Sequence, residues 1–453
     1  MVKSMFAALG LPKGREPVIV DYTRTAIGKK RGGLLQRVRG DNWIVHCVKT
    51  LADRNFEGLN LEKMGEQGLV DCIIGNNSQI GATALDIGRT VILSAGLPWT
   101  IPGTSVNRQC SSGMQSTYFG WQEIVTGDKD IVIVGGVEAQ TTIPIMADLN
   151  VAMGAYVQTV PPNIKITQSP YVKASEAKYG KAMAGQIEGA ELMGKVWNEK
   201  IGNTRDEFRL ELDEISLASH QKALKPSAIE ARGREITPLK VPKLDENGKQ
   251  ILDENHQMID SPDTVDIAKV DEAPRPTTSM EKLAKLKGII KRKTGYLTAG
   301  NSCPESDGAA AMILTSREYA EQNSLPIRGT IESCFVIGTD PILMLTGPIA
   351  ATKGVMRKAE IKSLDEMKFI EINEAFSTVV KASTYDLGLD WKDPRINQYG
   401  GAIAIGHPTG MTGTRLIGST LHQLEDAQED YALSTLCIGL GMGFSAVVKR
   451  EGA

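Results

Sequence analysis

Apolar runs alternate with helix-periodic segments along the first part of the chain. Val18-Ile-Val-Asp and Val70-Asp-Cys-Ile-Ile-Gly predict short buried strands, and residues 41–54 have the apolar spacing of a helix. Asp130-Ile-Val-Ile-Val-Gly-Gly-Val-Glu is apolar almost throughout, which is typical of a strand with both faces buried in a parallel or mixed sheet. The alternation predicts a βαβ-type α/β unit over residues 1–139.

Residues 140–293 break this pattern, because they are more polar and rich in proline. Helical spacing returns over residues 181–198, 204–223 and 279–287, and Asp245-Glu-Asn-Gly predicts a turn between residues that could pair as a hairpin. Long insertions between core elements are usually functional. We therefore predict an inserted loop domain.

Strand patterns resume in residues 294–453, beginning near Ala309, and their order echoes the first segment. In each segment an apolar strand ends at an asparagine, Asn76 or Asn373, and a glycine- or serine-rich turn then enters a helix. Residue identity between the segments is slight, but the shared order predicts an internal duplication. Equivalent loops of two duplicated halves would converge on one site. The predicted class is α/β, with core halves 1–139 and 294–453 around the loop domain.

Composition and charge narrow the function classes. A net charge of −3 and a pI near 6.1 argue against nucleic acid or an anionic membrane as the main partner. No apolar run approaches the roughly 20 residues of a membrane-spanning helix, and the N-terminal segment has no convincing cleavage signal, so we expect a cytoplasmic protein. The six cysteines include no C-x-x-C pair, which fits a reducing compartment and leaves little for a metal site.

Cys110 is the first candidate for chemistry. It separates an extended run from a helix-periodic segment, so its thiol would lie at a helix N-terminus, where unpaired N–H groups and the helix dipole favour a thiolate. A lone cysteine is nevertheless more often a buried packing residue. Two glycine-rich segments, in which backbone can approach a ligand closely, contain His407 and Cys437. Each is more often structural when taken singly, but the three together offer a nucleophile, a base and a second thiol.

The segments around these residues resemble the motifs of the thiolase family. Val106-Asn-Arg-Gln-Cys110-Ser-Ser-Gly is similar to the family's nucleophile segment, and Asn373-Glu-Ala-Phe is similar to its Asn-Glu-Ala-Phe motif. Gly400-Gly-Ala-Ile-Ala-Ile-Gly-His407-Pro resembles the histidine loop, and Cys437-Ile-Gly-Leu-Gly resembles the C-terminal cysteine loop. The motifs occur in the family's order over nearly the whole chain. The resemblance implies a thiolase-like fold of two similar halves in a layered αβαβα arrangement, with a loop domain that holds coenzyme A.

The resemblance also implies roles for the motif residues. Cys110 would attack the 3-keto carbon of a 3-ketoacyl-CoA and keep the shortened acyl group as a thioester. His407 would take the thiol proton of Cys110 or of coenzyme A, and Cys437 would act as acid and base at Cα. One oxyanion site would use His407 and a water held by Asn373, and the other the backbone N–H groups of Cys110 and Gly439.

Contacts with coenzyme A or the acyl group are implied for Arg275, Ala299, Cys303, Phe376 and Tyr399. Arg275 would contact the nucleotide, with Lys282 nearby, although a solvated surface charge is an equal alternative for Arg275 and the favoured one for Lys282. Phe376 would line the acyl or pantetheine pocket, with core packing as a close alternative.

Three positions depart from the family pattern. Tyr399 stands where the family often has asparagine, Cys303 aligns with a serine that touches pantetheine, and Ala182 aligns with a histidine of the loop domain. Tyr399 suggests an acyl group other than plain acetoacetyl.

The implied partners are acyl-CoA substrates, with coenzyme A as co-substrate and no permanently bound cofactor. A homodimer or homotetramer is expected, and an accessory subunit is compatible with the sequence. The alternatives are a decarboxylating ketoacyl synthase, which would normally use one cysteine and two histidines, and a non-catalytic thiolase-like scaffold subunit. A cysteine hydrolase would have no use for a second thiol. Cleavage and condensation would use the same residues.

Overall fold

The computed structural model describes residues 2–30, 32–142, 185–239, 269–290 and 293–452, together with positions 173, 177, 245–247, 251 and 254. The strands of these residues are β1 (Pro17–Arg24), β2 (Gly28–Lys29), β3 (Val70–Gly75), β4 (Thr104–Val106), β5 (Ile131–Ala139), β6 (Ser306–Ser316), β7 (Gly329–Gly338), β8 (Phe369–Ile372), β9 (Tyr431–Ile438) and β10 (Met442–Arg450).

Helices cover both faces of the strands. Those of the described residues are α1 (Gly40–Asn55), α2 (Leu61–Glu66), α3 (Ile87–Ser94), α4 (Ser112–Thr126), α5 (Gln186–Ile201), α6 (Arg205–Ala223), α7 (Pro226–Glu235), α8 (Met280–Ala284), α9 (Arg317–Gln322), α10 (Gly347–Lys358), α11 (Ser377–Asp386), α12 (Ala402–Ile405) and α13 (Thr409–Ala427). Among the helices that the described residues form, none is long and apolar enough to cross a membrane.

The sheet repeats one arrangement on either side of its centre. Its strand order is β4-β3-β5-β6-β1-β7-β10-β9-β8, with β2 paired to β6 beside this path. In the first half β3 and β5 are parallel, and β6 and β1 follow antiparallel. In the second half β8 and β9 are parallel, and β10 and β7 follow antiparallel. The two halves meet where Val18 pairs with Thr330 and Ile19 with Gly329.

The position of β6 bears on the predicted boundary at residue 294. That boundary groups the strand near Ala309 with the second half, but β6 lies between β5 and β1 and pairs with both. By strand order β6 corresponds to β10 and completes the first half. The chain therefore returns to the first half after the loop domain, and sequence order alone does not indicate this return.

Five layers follow from the helix contacts. Helices α1 and α3 pack on the outer face of the first-half strands, and α10 packs on the outer face of the second-half strands. Helices α4 and α13 pack against each other between the two sets of strands. Strand β5 is buried at all nine positions because helices cover both of its faces, as its apolar composition predicts. The α/β class and the layered αβαβα arrangement are confirmed.

The described part of the loop domain contains the predicted helices with shifted ends. The helix predicted over residues 181–198 runs over Gln186–Ile201, and those predicted over 204–223 and 279–287 run over Arg205–Ala223 and Met280–Ala284. The residues that would form the hairpin around Asp245 lie outside the described ones, and so does Ala182. The pairing of that hairpin stays a prediction.

Candidate functional site

Cys110 lies in a tight turn directly before α4. Gln109 adopts a left-handed backbone conformation with φ +49°, and the Ser112 hydroxyl accepts the N–H of Arg108 at 2.9 Å. At the end of β3, Gly75 faces this turn so closely that a Cβ atom there would overlap the backbone of Ser112. The strand end and the turn therefore fix Cys110, which is only 4% exposed.

The electrostatic environment of the Cys110 thiol combines burial with two hydrogen-bond donors. Burial raises the pKa of Cys110 to about 11, and the backbone N–H of Gly439 and the side-chain amide of Gln186 act to lower it. The Nε2 atom of Gln186 lies 3.8 Å from the Sγ atom of Cys110. Because Gly439 follows β9, the sulfur lies between the first half and a loop of the second half.

Two further thiols lie near the first. The pKa of Cys437, a fully buried residue of β9, is well above its ordinary value because of burial and the neighbouring Cys110 and Cys303. Burial, followed by the effect of Cys110, raises the pKa of Cys303 to about 12. The backbone N–H of Cys303 donates to the carbonyl oxygen of Ala375 at 3.1 Å, which joins the thiols to the Asn-Glu-Ala-Phe segment. All three thiols are therefore protonated at neutral pH.

His407 is buried and its tautomer follows from its neighbours. The Thr412 hydroxyl donates its single proton to the carbonyl oxygen of Pro408 at 2.8 Å and lies 2.8 Å from Nδ1 of His407. With the hydroxyl proton given to Pro408, Nδ1 carries the ring proton and donates it to Thr412, since a hydroxyl has only one proton. Burial, reinforced by the positive charge of Arg415, lowers the pKa of His407 to about 3. The imidazole is neutral, with the free lone pair on Nε2.

Asn373 lies next to this lone pair. Its Nδ2 atom is 3.3 Å from Nε2 of His407, and its backbone N–H donates to the carbonyl oxygen of Thr435 at 2.9 Å. The Oδ1 atom of Asn373 is buried and has no hydrogen-bond partner among the described residues. A buried unpaired amide oxygen is uncommon and costs free energy, so it is suited to hold a water or a substrate group.

Glu374 binds the histidine loop to the Asn-Glu-Ala-Phe segment. Its carboxylate accepts hydrogen bonds from Ser219 Oγ at 2.6 Å, Asn397 Nδ2 at 2.8 Å and the N–H of Ile403 at 3.1 Å. A Cβ atom on Gly401 would overlap this carboxylate, which explains the glycine there. The carboxylate is saturated with protein donors and has an orienting part in the loop.

The loops of Cys110 and His407 come together because two helices begin side by side. Each residue stands two positions before its helix, α4 for Cys110 and α13 for His407. A Cβ atom on Gly113 would lie 2.7 Å from the carbonyl oxygen of Gly410, and one on Gly413 would overlap Met114. Glycine at these positions lets the first turns of the two helices touch through their backbones.

Glu138, at the end of β5, anchors the start of α13 from the other half of the molecule. One carboxylate oxygen accepts the Thr409 hydroxyl at 2.8 Å and the N–H of Gly410 at 2.9 Å. The backbone N–H groups of Asn77 and Ser78 also donate to this carboxylate, each at 3.2 Å. A fully buried carboxylate thus spans the two halves and caps the helix that follows His407.

Sequence reasoning did not find Glu138, Thr412 or Gln186. A charge at the end of an all-apolar strand is a usable signal for Glu138. For Gln186 the signal is a polar residue at the head of the apolar stripe at positions 190, 193 and 197. Thr412 is separated from His407 by more than one helical turn and carries no comparable signal.

The remaining predicted contact residues fall into two groups. Phe376 is buried in a hydrophobic cluster that also contains Cys437. Arg275 and Ala299 are exposed, and the backbone N–H of Arg275 donates to Nδ1 of His220 at 3.2 Å. Tyr399 is half-buried, and burial followed by the negative charge of Asp426 raises its pKa.

The surroundings of Tyr399 differ from those of the thiols. Its carbonyl oxygen accepts Nη1 of Arg232 at 2.6 Å, and its hydroxyl bonds to the Gln398 side chain. The polar neighbours of Tyr399 are thus Arg232 on α7, the adjacent Gln398, and Asp426 at the end of α13. None of these contacts joins Tyr399 to Cys110 or Cys437.

Two family models match nearly the whole chain. The model of the thiolase N-terminal domain matches residues 17–318, and that of the thiolase C-terminal domain matches residues 325–450. The first of these matches includes β6 and so agrees with the sheet order.

Named proteins and solved structures give the same family. The chain is 34% identical over 434 residues to a 3-ketoacyl-CoA thiolase of Aliivibrio fischeri, covering 96% of this chain and 99% of that protein. It is 32% identical over 449 residues to a beta-ketoadipyl-CoA thiolase of Acinetobacter baylyi, covering 95% and 98%. Human mitochondrial 3-ketoacyl-CoA thiolase in complex with CoA superposes with a TM-score of 0.75 at 27% identity, covering 97% of this chain and 99% of that one. The dimeric peroxisomal thiolase of Saccharomyces cerevisiae gives 0.77 at 28% identity, covering 98% and 100%.

Proposed function

The chain belongs to the thiolase family and is an acyltransferase, and we propose that it performs the thiolase reaction through an acyl-Cys110 intermediate. The observation that carries this assignment is the convergence of Cys110 with Gly439 N–H and a second thiol, Cys437, on one site. A nucleophile, an amide donor for an oxyanion and a separate acid are the groups that cleavage of a 3-ketoacyl-CoA requires.

The first half-reaction forms the acyl-enzyme. The Cys110 thiol loses its proton to Nε2 of His407, and the sulfur attacks the 3-keto carbon. The Cα–Cβ bond breaks, its electron pair stays on Cα, and the Cys437 thiol protonates Cα. Acetyl-CoA or another short acyl-CoA leaves, and Cys110 keeps the shortened acyl group as a thioester. Because the resting thiol and imidazole are both neutral, proton transfer accompanies the attack.

The second half-reaction restores the enzyme. A coenzyme A thiol gives its proton to the Cys437 thiolate, and its sulfur attacks the acyl thioester. The Cys110 thiolate leaves and recovers its proton from His407. The products are the two acyl-CoAs, and the same steps in reverse give the Claisen condensation.

Two oxyanions need donors during these steps. We propose that the thioester oxygen of the enolate accepts hydrogen bonds from His407 and from a water that Asn373 holds. Oδ1 of Asn373 can hold this water because it has no hydrogen-bond partner among the described residues. The tetrahedral oxyanion is assigned to the N–H groups of Cys110 and Gly439. One preorganised donor is worth about 2.7–4 kcal/mol of transition-state stabilisation.

Coenzyme A is the proposed co-substrate, and we propose that the loop domain 140–293 binds it. Dependence on coenzyme A is supported by the named thiolases and by a similar structure solved in complex with CoA. The Arg275 side chain is exposed and so accessible to a phosphate group of coenzyme A. Ala299 and Cys303 lie in the segment in which the chain returns from the loop domain to the core. The predicted acyl contact of Tyr399 stays a proposal, which its position beside α7 and α13 does not support.

We also propose that the protein is a homodimer. Leu85, Leu93 and Trp99 are exposed to 87%, 52% and 71% around α3, which packs on the sheet-edge strand β4. Large exposed apolar groups beside an edge strand whose outer side has no partner strand among the described residues fit a self-complementary interface. Light scattering of the purified protein tests the assembly, and a monomer at micromolar concentration would contradict it. A tetramer, an accessory subunit and the cytoplasmic location stay predictions.

Mass spectrometry of the protein after incubation with a panel of 3-ketoacyl-CoAs tests the reaction. We expect an acyl adduct on Cys110 that coenzyme A removes, and a Cys437→Ala variant that turns over far more slowly. The panel also ranks the acyl groups, since linear, branched and dicarboxylic substrates differ in shape and charge. Absence of an adduct on Cys110 with every member would refute the mechanism.

A further inference from the structure

Gln186 is a polar residue at the head of an apolar helix face. The positions that follow on the same face of α5 are Ala190, Met193 and Trp197, all of which are buried. A helix that packs by this stripe would ordinarily continue it with an apolar side chain. Gln186 is partly buried there, so its amide loses water and requires a partner.

Contacts on either side of α5 determine where that amide can lie. The carboxylate of Glu191 accepts the backbone N–H groups of Tyr296 at 2.8 Å and Leu297 at 3.0 Å. A Cβ atom on Gly189 would lie 3.2 Å from Cβ of Met344, so the helix packs tightly on its neighbours. The first turn of α5 is therefore held against the core beside the thiols.

Two distances locate the Gln186 amide. Nε2 lies 3.8 Å from Sγ of Cys110, within hydrogen-bonding range for a sulfur acceptor. It also lies 3.4 Å from the point that a Cβ atom on Gly439 would occupy. The amide thus approaches the sulfur beside the residue whose N–H also points at it.

We propose that Gln186 donates a hydrogen bond to the Cys110 sulfur and, with the N–H of Gly439, stabilises the negative charge that develops there as the thiol loses its proton and again when the acyl group departs. The inference rests on the proposed function, in which Cys110 is the nucleophile. A neutral amide suits this part because it stabilises a thiolate without a permanent positive charge that would also hold it back from attack. The Gln186 amide acts to lower the Cys110 pKa, as expected of a donor 3.8 Å from the sulfur.

The other groups around the sulfur do not replace this donor. The carboxylate of Glu138 raises the Cys110 pKa, and the neighbouring thiols of Cys437 and Cys303 are neutral because burial and Cys110 raise their own pKa values. His407 removes the proton but is neutral at rest. Gly439, Gln186 and the backbone N–H of Cys110 itself are therefore the groups that favour the anion, and Gln186 is the one side chain among the three.

The Gln186→Met variant tests this inference, because methionine has a similar length and volume but no N–H. Alkylation of Cys110 by iodoacetamide, followed by peptide mass spectrometry across pH, reports the thiolate fraction. We expect the profile to move upward by about one pH unit, with alkylation about tenfold slower at any pH below the pKa. Gln186→Glu should move the profile further in the same direction, since an ionised carboxylate repels the thiolate.

Gln67→Met is the matched control, because Gln67 is exposed at the end of α2 and should leave the profile unchanged. An unshifted profile in Gln186→Met, with a raised KM for acyl-CoA, would overturn the proposal and make Gln186 a substrate contact. If thermal unfolding shows that Gln186→Met does not fold, Gln186→Asn applies the same test, because its shorter side chain cannot reach the sulfur. The alkylation experiment uses no acyl-CoA, so it tests Gln186 independently of the thiolase reaction. A shifted alkylation profile together with no acyl adduct on Cys110 would refute the proposed reaction but leave the role of Gln186 standing.

Discussion

Asn76 and Asn373 are the first residues beyond β3 and β8, the corresponding strands of the two halves. Asn76 uses both ends of its amide locally, with Nδ2 donating to the Thr83 carbonyl oxygen at 2.9 Å and Oδ1 accepting the N–H of Ser78 at 3.0 Å. Asn373 instead turns Nδ2 to His407 and leaves Oδ1 unpaired. One scaffold position thus closes a turn in the first half and presents an open acceptor in the second.

The same contrast holds at the ends of the next strands inward. Glu138 on β5 has four protein donors, whereas Cys437 on β9 has a buried thiol beside two others. In these two pairs the first-half residue has its polar groups bonded within the protein, while the second-half residue keeps its polar group available. Polar satisfaction therefore distinguishes the supporting residues from the reacting ones more clearly than position does.

The largest effect on kcat is expected from removing the side-chain amide of Asn373 in the second half. Asn373→Ala should lower kcat by about 10²–10³-fold, the range for loss of one oxyanion donor. The free energy of unfolding should fall by less than in the first-half variant Asn76→Ala, because Oδ1 has no partner to lose and only the 3.3 Å contact of Nδ2 with His407 is removed. Thiolysis kinetics and urea unfolding check both parts, and a stability loss as large as the kinetic one would remove the distinction between the two asparagines.

The converse result is expected for the first-half asparagine. Asn76→Ala should lower the free energy of unfolding by about 1–3 kcal/mol, because it strands the buried carbonyl oxygen of Thr83. At a temperature where the variant is folded, kcat should match the unsubstituted protein. A hundredfold loss of kcat would show that the first-half amide also serves the reaction.

A smaller effect should come from the hydroxyl that orients His407. Thr412→Val removes the group that accepts the Nδ1 proton, so the imidazole can change tautomer or turn, and we expect kcat to fall about tenfold, or ~1.4 kcal/mol. Thr412→Ser keeps the hydroxyl and should restore the rate. Equal losses in both variants would trace the effect to packing instead.

The smallest expected effect is on the pH dependence of kcat/KM, in which no inflection from His407 should appear. Because His407 has a pKa of about 3, its protonation should produce no inflection in kcat/KM between pH 5 and 8. Between the His407 pKa and the Cys110 pKa of about 11 both groups stay neutral, which is the state that reacts, so the rate should be nearly independent of pH. Initial rates in overlapping buffers check this, and an inflection that disappears in His407→Asn would contradict the neutral imidazole.

Much of the fold and the centre of the site could be predicted from sequence. Strand and helix periodicity predicts the duplicated halves, and the segments around Cys110, His407 and Cys437 carry the family's motifs. The return of β6 to the first half could not be predicted, because the order of strands in a sheet depends on pairing and not on chain order. Gln186 was missed for a related reason, since its contact with Cys110 joins residues 76 positions apart.

The Glu138 carboxylate has a consequence for assembly of the molecule during folding. Three of its donors are backbone N–H groups, and one of these belongs to α13, which is synthesised 272 residues later than Glu138. Until α13 docks, the carboxylate lacks both of its donors from that helix and can be buried only at a high desolvation cost. Misregistered docking of the halves is penalised in the same way, so recovery of enzymatic activity in a refolding experiment should lag behind recovery of helix content and report the final docking step.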